Sequence, residues 1–169
     1  MKDFLQYVAT NEVYLYPETE SENELGNLIT TLMMDAVPTA DFVIINAGGL
    51  RTQWYPGIIQ YQHFYNMFPF ENTLITFDIT GSELIALLAA VQKGPLGFYP
   101  TAGLQITAST DRSKNHAFIG AKFYNKLGEL EDIVPDRVYR GMSNDFLLEG
   151  GDDFKNAMGK VYTLRKSRA

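Results

Sequence analysis

The sequence predicts an α+β fold, a single domain in which a mixed β-sheet is flanked by helices. Three observations carry this. Two segments place apolar residues at helical spacing, and each opens on a capping-box pattern. One run, Phe42 to Ile45, is apolar throughout, as in a strand covered on both faces. The second half holds strand-like runs with no helical pattern between them. Helices early and strands late, without strict alternation, point to α+β.

Taken in chain order, Glu12-Val-Tyr-Leu-Tyr16 alternates as a short extended stretch and stops at Pro17. Ser21 as N-cap with Glu24 three residues on predicts a helix start. Leu25, Leu28, Ile29, Leu32, Met33 and Ala36 then mark its buried face, and Pro38 ends it. Asp41 opens the buried strand, which runs into Asn46-Ala-Gly-Gly-Leu-Arg51. The aromatic stretch Ile58 to Phe68 is helical in part and ends at Pro69, and Thr73 to Ile79 alternates as a strand. Thr80-Gly-Ser-Glu83 repeats the capping box ahead of Leu84, Ile85, Leu87, Leu88 and Val91. After a Gly/Pro loop, Gly94 to Pro100, strands are expected at Leu104–Ser109, Ala117–Asn125 and Arg137–Met142, with Lys126-Leu-Gly128 as a hairpin turn.

The 169 residues suit one domain, 1–169, with 161–169 a basic tail that is expected to be solvated. A net charge of -6 argues against a nucleic-acid duplex as partner, because phosphate backbones demand clustered Lys and Arg. Cysteine is absent, so neither disulfides nor thiol catalysis enter. No apolar run approaches the ~20 residues of a membrane span, and Met1-Lys2-Asp3 opens no signal-peptide pattern. Composition leaves the compartment open.

Three segments can carry chemistry. In Asn46-Ala-Gly-Gly-Leu-Arg51, Gly48 and Gly49 allow close backbone approach, and Arg51 offers a planar fork for phosphate or carboxylate. A tight turn with a surface arginine is the plainer reading. In Phe68-Pro-Phe70-Glu-Asn72, Phe70 stands among polar neighbours in a loop, where a ring can stack on a flat ligand; a core aromatic is the alternative. In Asn144 to Phe154, Gly150 and Gly151 allow positive φ and Phe154 follows the turn. Asp152 and Asp153 suit a ribose hydroxyl better than a metal, because adjacent acids alternate in direction; capping or turn duty is the alternative.

In this order the segments resemble the C-terminal domain of the 5′-nucleotidase / UDP-sugar hydrolase family. The resemblance runs from Glu24-Leu-Gly-Asn27 through Asn46–Arg51, Pro69-Phe-Glu-Asn72 and Thr80-Gly-Ser-Glu-Leu84. It closes on Tyr139-Arg-Gly-Met-Ser-Asn-Asp-Phe146 and Gly150-Gly-Asp-Asp-Phe154, covering roughly residues 10–160. It implies that the domain binds a nucleotide or nucleoside and delivers it to an N-terminal metallophosphoesterase domain holding two divalent metal ions. By the same resemblance Phe70 and Phe154 would sandwich the base, Asn46, Gly48, Gly49 and Asn72 would border the nucleoside, Arg51 would hold the phosphate, and Asp152 would be accessory. The parent would be a secreted, periplasmic or cell-surface phosphohydrolase of nucleotide catabolism. Three departures stand out: Thr19-Glu-Ser-Glu22 lies where the family carries a further arginine, Asp153 stands in place of its glycine, and Lys155 to Lys160 offers no acid of the sort that contacts ribose soon after the closing aromatic.

Hydrolysis at a two-metal centre needs a His/Asp/Asn ligand cluster. Here His63 and His116 lie apart from paired carboxylates, and no Walker loop or Gly-x-Ser-x-Gly elbow occurs. The expectation is a chain with no catalytic residue, no metal ligand and no cofactor of its own, inactive alone. The alternative function is a catalytically degenerate binding or interaction module of the same fold.

Overall fold

The computed structural model describes residues 4–18, 21–91, 98–109, 118–154 and 167–168. Its centre is the apolar strand β2, Phe42–Ile44. Successive strand side chains point to opposite faces, and Phe42 and Ile44 enter one buried cluster while Val43 and Ile45 enter another. Both faces of the sheet are therefore covered, as the unbroken apolar run requires.

Helix α1, Glu24–Ala36, and helix α2, Tyr61–Met67, lie on the Val43 side, where Leu25, Ile29, Trp54 and Met67 are buried. Helix α3, Gly81–Val91, lies on the other side, with Leu84, Leu87, Leu88 and Val91 buried. Strands β1, Tyr7–Asn11, and β3, Gly57–Gln60, form an antiparallel ribbon. The central sheet also contains β4, Leu74–Thr80, β5, Thr101–Ala102, β9, Val138–Asn144, and β10, Ser167–Arg168. Its order is β10-β4-β9-β2-β5, with β2 and β9 parallel and the other pairs antiparallel. A third sheet joins β6, Leu104–Ala108, β7, Phe118–Tyr124, and β8, Leu130–Asp132. A one-turn helix, α4, spans Asp145–Leu148.

The α+β expectation with flanking helices holds, although the strands among the described residues divide among three sheets. The second capping box forms as read: Thr80 N–H donates to Glu83 Oε2 at 2.8 Å and Glu83 N–H to Thr80 Oγ1 at 3.4 Å. The hairpin turn at 126–128 also forms, because Asn125 Oδ1 accepts from both Leu127 and Glu129 N–H and Gly128 takes φ 78°.

Three expectations change. The N-cap of α1 is Asn23, whose Oδ1 accepts from Gly26 N–H at 2.8 Å, and not Ser21. The first strand is Tyr7–Asn11; within 12–16 only Leu15 pairs, in a single bridge to Trp54. Of the expected solvated tail, Ser167 and Arg168 pair with Thr76 and Ile75 of β4. The rest of the basic tail, His116, Ala117, Thr19 and Glu20 lie outside the described residues. Among the described residues no helix is long and apolar enough to cross a membrane.

Candidate functional site

Parallel β2 and β9 end at the same edge of the central sheet, and β4 begins there. The carboxyl edge of parallel strands is where loops of differing direction open a crevice. All three loops singled out in the sequence meet at this edge, and the joints between them are hydrogen bonds and close contacts.

The first joint is a side-chain rung. Asn144 Nδ2 donates to Asn46 Oδ1 at 3.1 Å in the buried interior, continuing the β2–β9 pairing past the last backbone bond. Asn144 Oδ1 also accepts from Leu147 N–H at 2.9 Å, capping α4. Asn46 Nδ2 has no protein acceptor among the described residues. No buried side-chain nitrogen or oxygen of the described structure lacks a partner, so this donor reaches solvent.

The second joint binds loop 68–73 to α4. Asp145 accepts from Asn72 Nδ2 at 2.7 Å and Thr73 N–H at 3.1 Å, and its own N–H donates to Thr73 O at 3.0 Å. Phe146 N–H adds a bond to Asp145 Oδ1 at 2.9 Å. Burial pushes the Asp145 carboxyl up, but the bonds from Asn72, Thr73 and Phe146 outweigh it and hold the group below the ordinary aspartate value. Asn72, expected to border the ligand, thus spends an amide hydrogen on the scaffold.

The third joint binds loop 46–51 to loop 68–73. Arg51 N–H donates to Met67 O at 2.8 Å, and the Phe68 ring presses on Gly49, where a Cβ would stand 3.0 Å from Phe68 Cε2. Neither Gly48 nor Gly49 needs positive φ. The turn 47–49 is a 3-10 turn in which Gly49 N–H donates to Asn46 O, so of the anion-accepting pair of N–H groups only that of Gly48 points to no backbone acceptor among the described residues. Gly48 is exposed, with nothing nearer its Cβ direction than Asn46 Nδ2 at 4.0 Å.

Arg51 and Phe70 project from this frame together. The Arg51 guanidinium carbon lies 5.1 Å from the Phe70 ring centroid, and the ring stands edge-on to Phe68 at 6.0 Å. Phe70 is 42% exposed, as its polar neighbours suggested, and no acidic side chain pairs with Arg51 among the described residues. A guanidinium stacked on a ring keeps its in-plane N–H donors available for an anion.

Phe154 is different. Its ring is 0% exposed and lies in the core cluster with Tyr99, Leu147 and Leu148, 6.0 Å from the Tyr99 ring. The expected sandwich partner of Phe70 is a core residue here, because the turn at 150–153 folds the ring inward. Gly150 takes φ 113° and Asp152 takes φ 52°, so the left-handed non-glycine is Asp152 and not Asp153. The Tyr99 hydroxyl donates to Asp152 O at 3.1 Å and fixes this turn.

No three His, Asp or Glu side chains among the described residues come together to hold a metal. His63 Nδ1 accepts from Gln60 N–H at 2.8 Å and helps to start α2. The described residues do not fit the metal centre that the resemblance assigns to a neighbouring domain.

Sequence reading gave no role to Asn144, Asp145 or Phe146, although it quoted all three in a motif. An asparagine three residues before Leu147-Leu148 is an N-cap signal that would have found the first.

Fold and edge together define an α+β domain whose candidate site is assembled from loops at the end of its central sheet. Comparison with known proteins is specific: the family model "5'-nucleotidase, C-terminal domain" matches residues 6–159, and the chain belongs to this family. The trifunctional nucleotide phosphoesterase protein YfkN of Bacillus subtilis (strain 168) is 30% identical over 79% of this chain and 10% of its own length. Protein UshA of Escherichia coli (strain K12) is 30% identical over 79% of this chain and 23% of its own length. The crystal structure of a 5'-nucleotidase precursor from Thermus thermophilus superposes with a TM-score of 0.80 at 26% identity, over 97% of this chain and 33% of that one. The chain therefore spans a third or less of each of these relatives. The metallophosphoesterase half of the resemblance is not in this chain.

Proposed function

We propose that this domain is the nucleotide- or nucleoside-recognition part of a metal-dependent 5'-nucleotidase-type phosphohydrolase acting in nucleotide catabolism, with hydrolysis carried out on a metallophosphoesterase domain outside this chain. The observation that carries the reading is Arg51 over Phe70: a guanidinium with no acidic partner among the described residues and an exposed ring side by side, with Asn46 Nδ2 on the same edge. A ring face accepts any nucleobase, worth about 1–3 kcal/mol by stacking. The guanidinium beside it supplies parallel N–H donors to a phosphate, and an open amide donor can meet a ribose or base acceptor. The two metals would activate water and neutralise phosphate charge; the residues of this chain bind and orient.

Calorimetry with AMP, adenosine and inorganic phosphate tests this. AMP should bind more tightly than adenosine by about ten-fold or more, the value of one charge-assisted hydrogen bond. Arg51→Gln should erase that difference while leaving adenosine binding in place. Absence of heat with every one of these ligands would refute the reading.

Two observations favour a second reading, a catalytically degenerate binding module of the same fold. Phe154 is buried, and Thr19-Glu-Ser-Glu22 lacks the family's further arginine. A parent chain without upstream metal ligands would decide for it.

A further inference from the structure

We propose that the β1–β3 ribbon is an interface on which a second copy of this chain docks, edge to edge through β1. This surface is separate from the candidate nucleotide site, and helix α2 stands between them. Gln60, the last residue of β3, caps the start of α2, and Phe68, against which Phe70 packs, caps its end. Seven helical residues at 1.5 Å each set the two regions about 10 Å apart along that axis.

The ribbon has an open edge. Among the described residues β1 pairs with β3 alone, so its other row of backbone N–H and C=O groups is left without a strand. Proteins blunt such edges with charged residues or proline. Edge strand β8 does so with Glu131 and Asp132. Strand β1 reads Tyr-Val-Ala-Thr-Asn and carries neither.

Its outward side is apolar. Thr10 pairs with Ile58, and the Tyr7 and Thr10 hydroxyls lie 3.2 Å apart, so Tyr7, Thr10 and Ile58 share one side of the ribbon. The irregularity between Tyr7 and Ala9 brings Tyr7 onto it. Ile59 lies on the opposite side, in the core, so this side looks away from the body of the domain. Tyr7 and Ile58 are 60% and 62% exposed. Aromatic clusters extend the apolar surface at both ends of β1. The Phe4 ring lies 5.5 Å from that of Tyr65, and the Tyr14 ring 5.2 Å from that of Tyr55. Asn11 Nδ2 ties the second cluster to β1 by donating to Tyr55 O at 3.2 Å.

Charge and area select the occupant. Residues 4–16 hold one charged side chain, Glu12, and residues 53–65 contain no Asp, Glu, Lys or Arg. A band without charge offers nothing to a strongly acidic or basic partner. Two chains of net charge -6 approach there with least repulsion. The exposed aromatic and aliphatic side chains along 4–16 and 55–65 present roughly 800 Å2, taking 150–250 Å2 for a whole aromatic side chain. One partner of a stable complex buries about that much. A two-fold axis beside an edge strand pairs it with its own copy antiparallel, the favoured geometry, so β1 against β1 makes a continuous four-stranded sheet.

Sedimentation equilibrium of the whole 169-residue chain tests this, with hydrogen exchange reporting where the copies meet. Interfaces of this size bind between micromolar and picomolar, so at about 50 μM the chain should run as a dimer, twice its 19.0 kDa. Ile58→Lys and Tyr7→Lys, both on the outward side, should return it to 19.0 kDa with an unchanged far-UV circular dichroism spectrum. Ile58→Val should stay dimeric. Amides of Tyr7–Asn11 should exchange about ten-fold or more slowly in the concentrated dimer than in a dilute sample. Should a lysine variant fail to fold, that dilution dependence in the unaltered chain decides alone. A chain that is monomeric at about 50 μM overturns the proposal. So does a dimer that survives both lysine substitutions while β1 exchange ignores dilution, since the copies then meet elsewhere. Protection of β1 only in a longer parent chain would give the band to the upstream domain and overturn it as well.

Discussion

Replacing Asp145 with asparagine acts on the joint between loop 68–73 and α4. The carboxylate accepts from Asn72 Nδ2, Thr73 N–H and Phe146 N–H, at 2.7, 3.1 and 2.9 Å. Asparagine keeps the shape but turns one acceptor oxygen into an NH2 group that must face a donor. Hydrogen bonds to a charged group contribute about 1.5–3 kcal/mol each when buried. Asp145 is only half-buried and burial opposes its charge, so the whole substitution should cost about 2 kcal/mol. With a urea m-value near 2 kcal/mol per M, the unfolding midpoint should fall by about 1 M at pH 7. The sign of the pH dependence follows from the lowered carboxyl. Its stabilisation is fully present above the unfolded-state value of about 4 and is lost as pH falls through the lower folded-state value. The difference between parent and Asp145→Asn should therefore close as acid is added. Urea titrations followed by Trp54 fluorescence, from pH 7 down to pH 3, measure it. Equal midpoints at pH 7, or a gap that does not narrow in acid, would refute the account of the joint.

Gly141→Ala should destabilise the fold by about 1–3 kcal/mol, because a Cβ there would stand 2.5 Å from Phe77 Cζ and 2.6 Å from Phe42 Cζ in the packed core; thermal unfolding reads this directly. Asn23→Ala should cost about 1 kcal/mol through loss of the α1 cap, with a matching fall in the urea midpoint, whereas Ser21→Ala should leave it unchanged.

What was legible in the sequence was local. Thr80 and Glu83 satisfy each other within one turn, and Asn125 closes its hairpin within four residues, so neither needs the rest of the chain. The strand Phe42–Ile44 announced its two covered faces by composition alone. Ser21 and Asn23 both suit an N-cap, and only the backbone path selected Asn23. Strand β1 carried no burial pattern, because nearly all its side chains are exposed and its partner β3 lies some fifty residues on. In the site, the loops that converge were identified, but the fate of each ring was not. Phe154 is buried through Tyr99, fifty-five residues earlier, and Phe146 is seated on Gly151; neither relation has a spacing that a linear reading can recognise.

The rung between Asn46 and Asn144 constrains how this domain can change over time. The Asn144 amide donates to the Asn46 carbonyl oxygen beneath the surface, and Asn144 also starts α4. A lone change to an apolar residue at either position strands a polar group, at a cost of about 1–3 kcal/mol, whereas a joint change to apolar residues of similar shape removes that penalty and leaves the loss of the α4 cap, about 1 kcal/mol. Descendants of this sequence should keep both asparagines or lose both, so that positions 46 and 144 drift as one character although ninety-eight residues separate them.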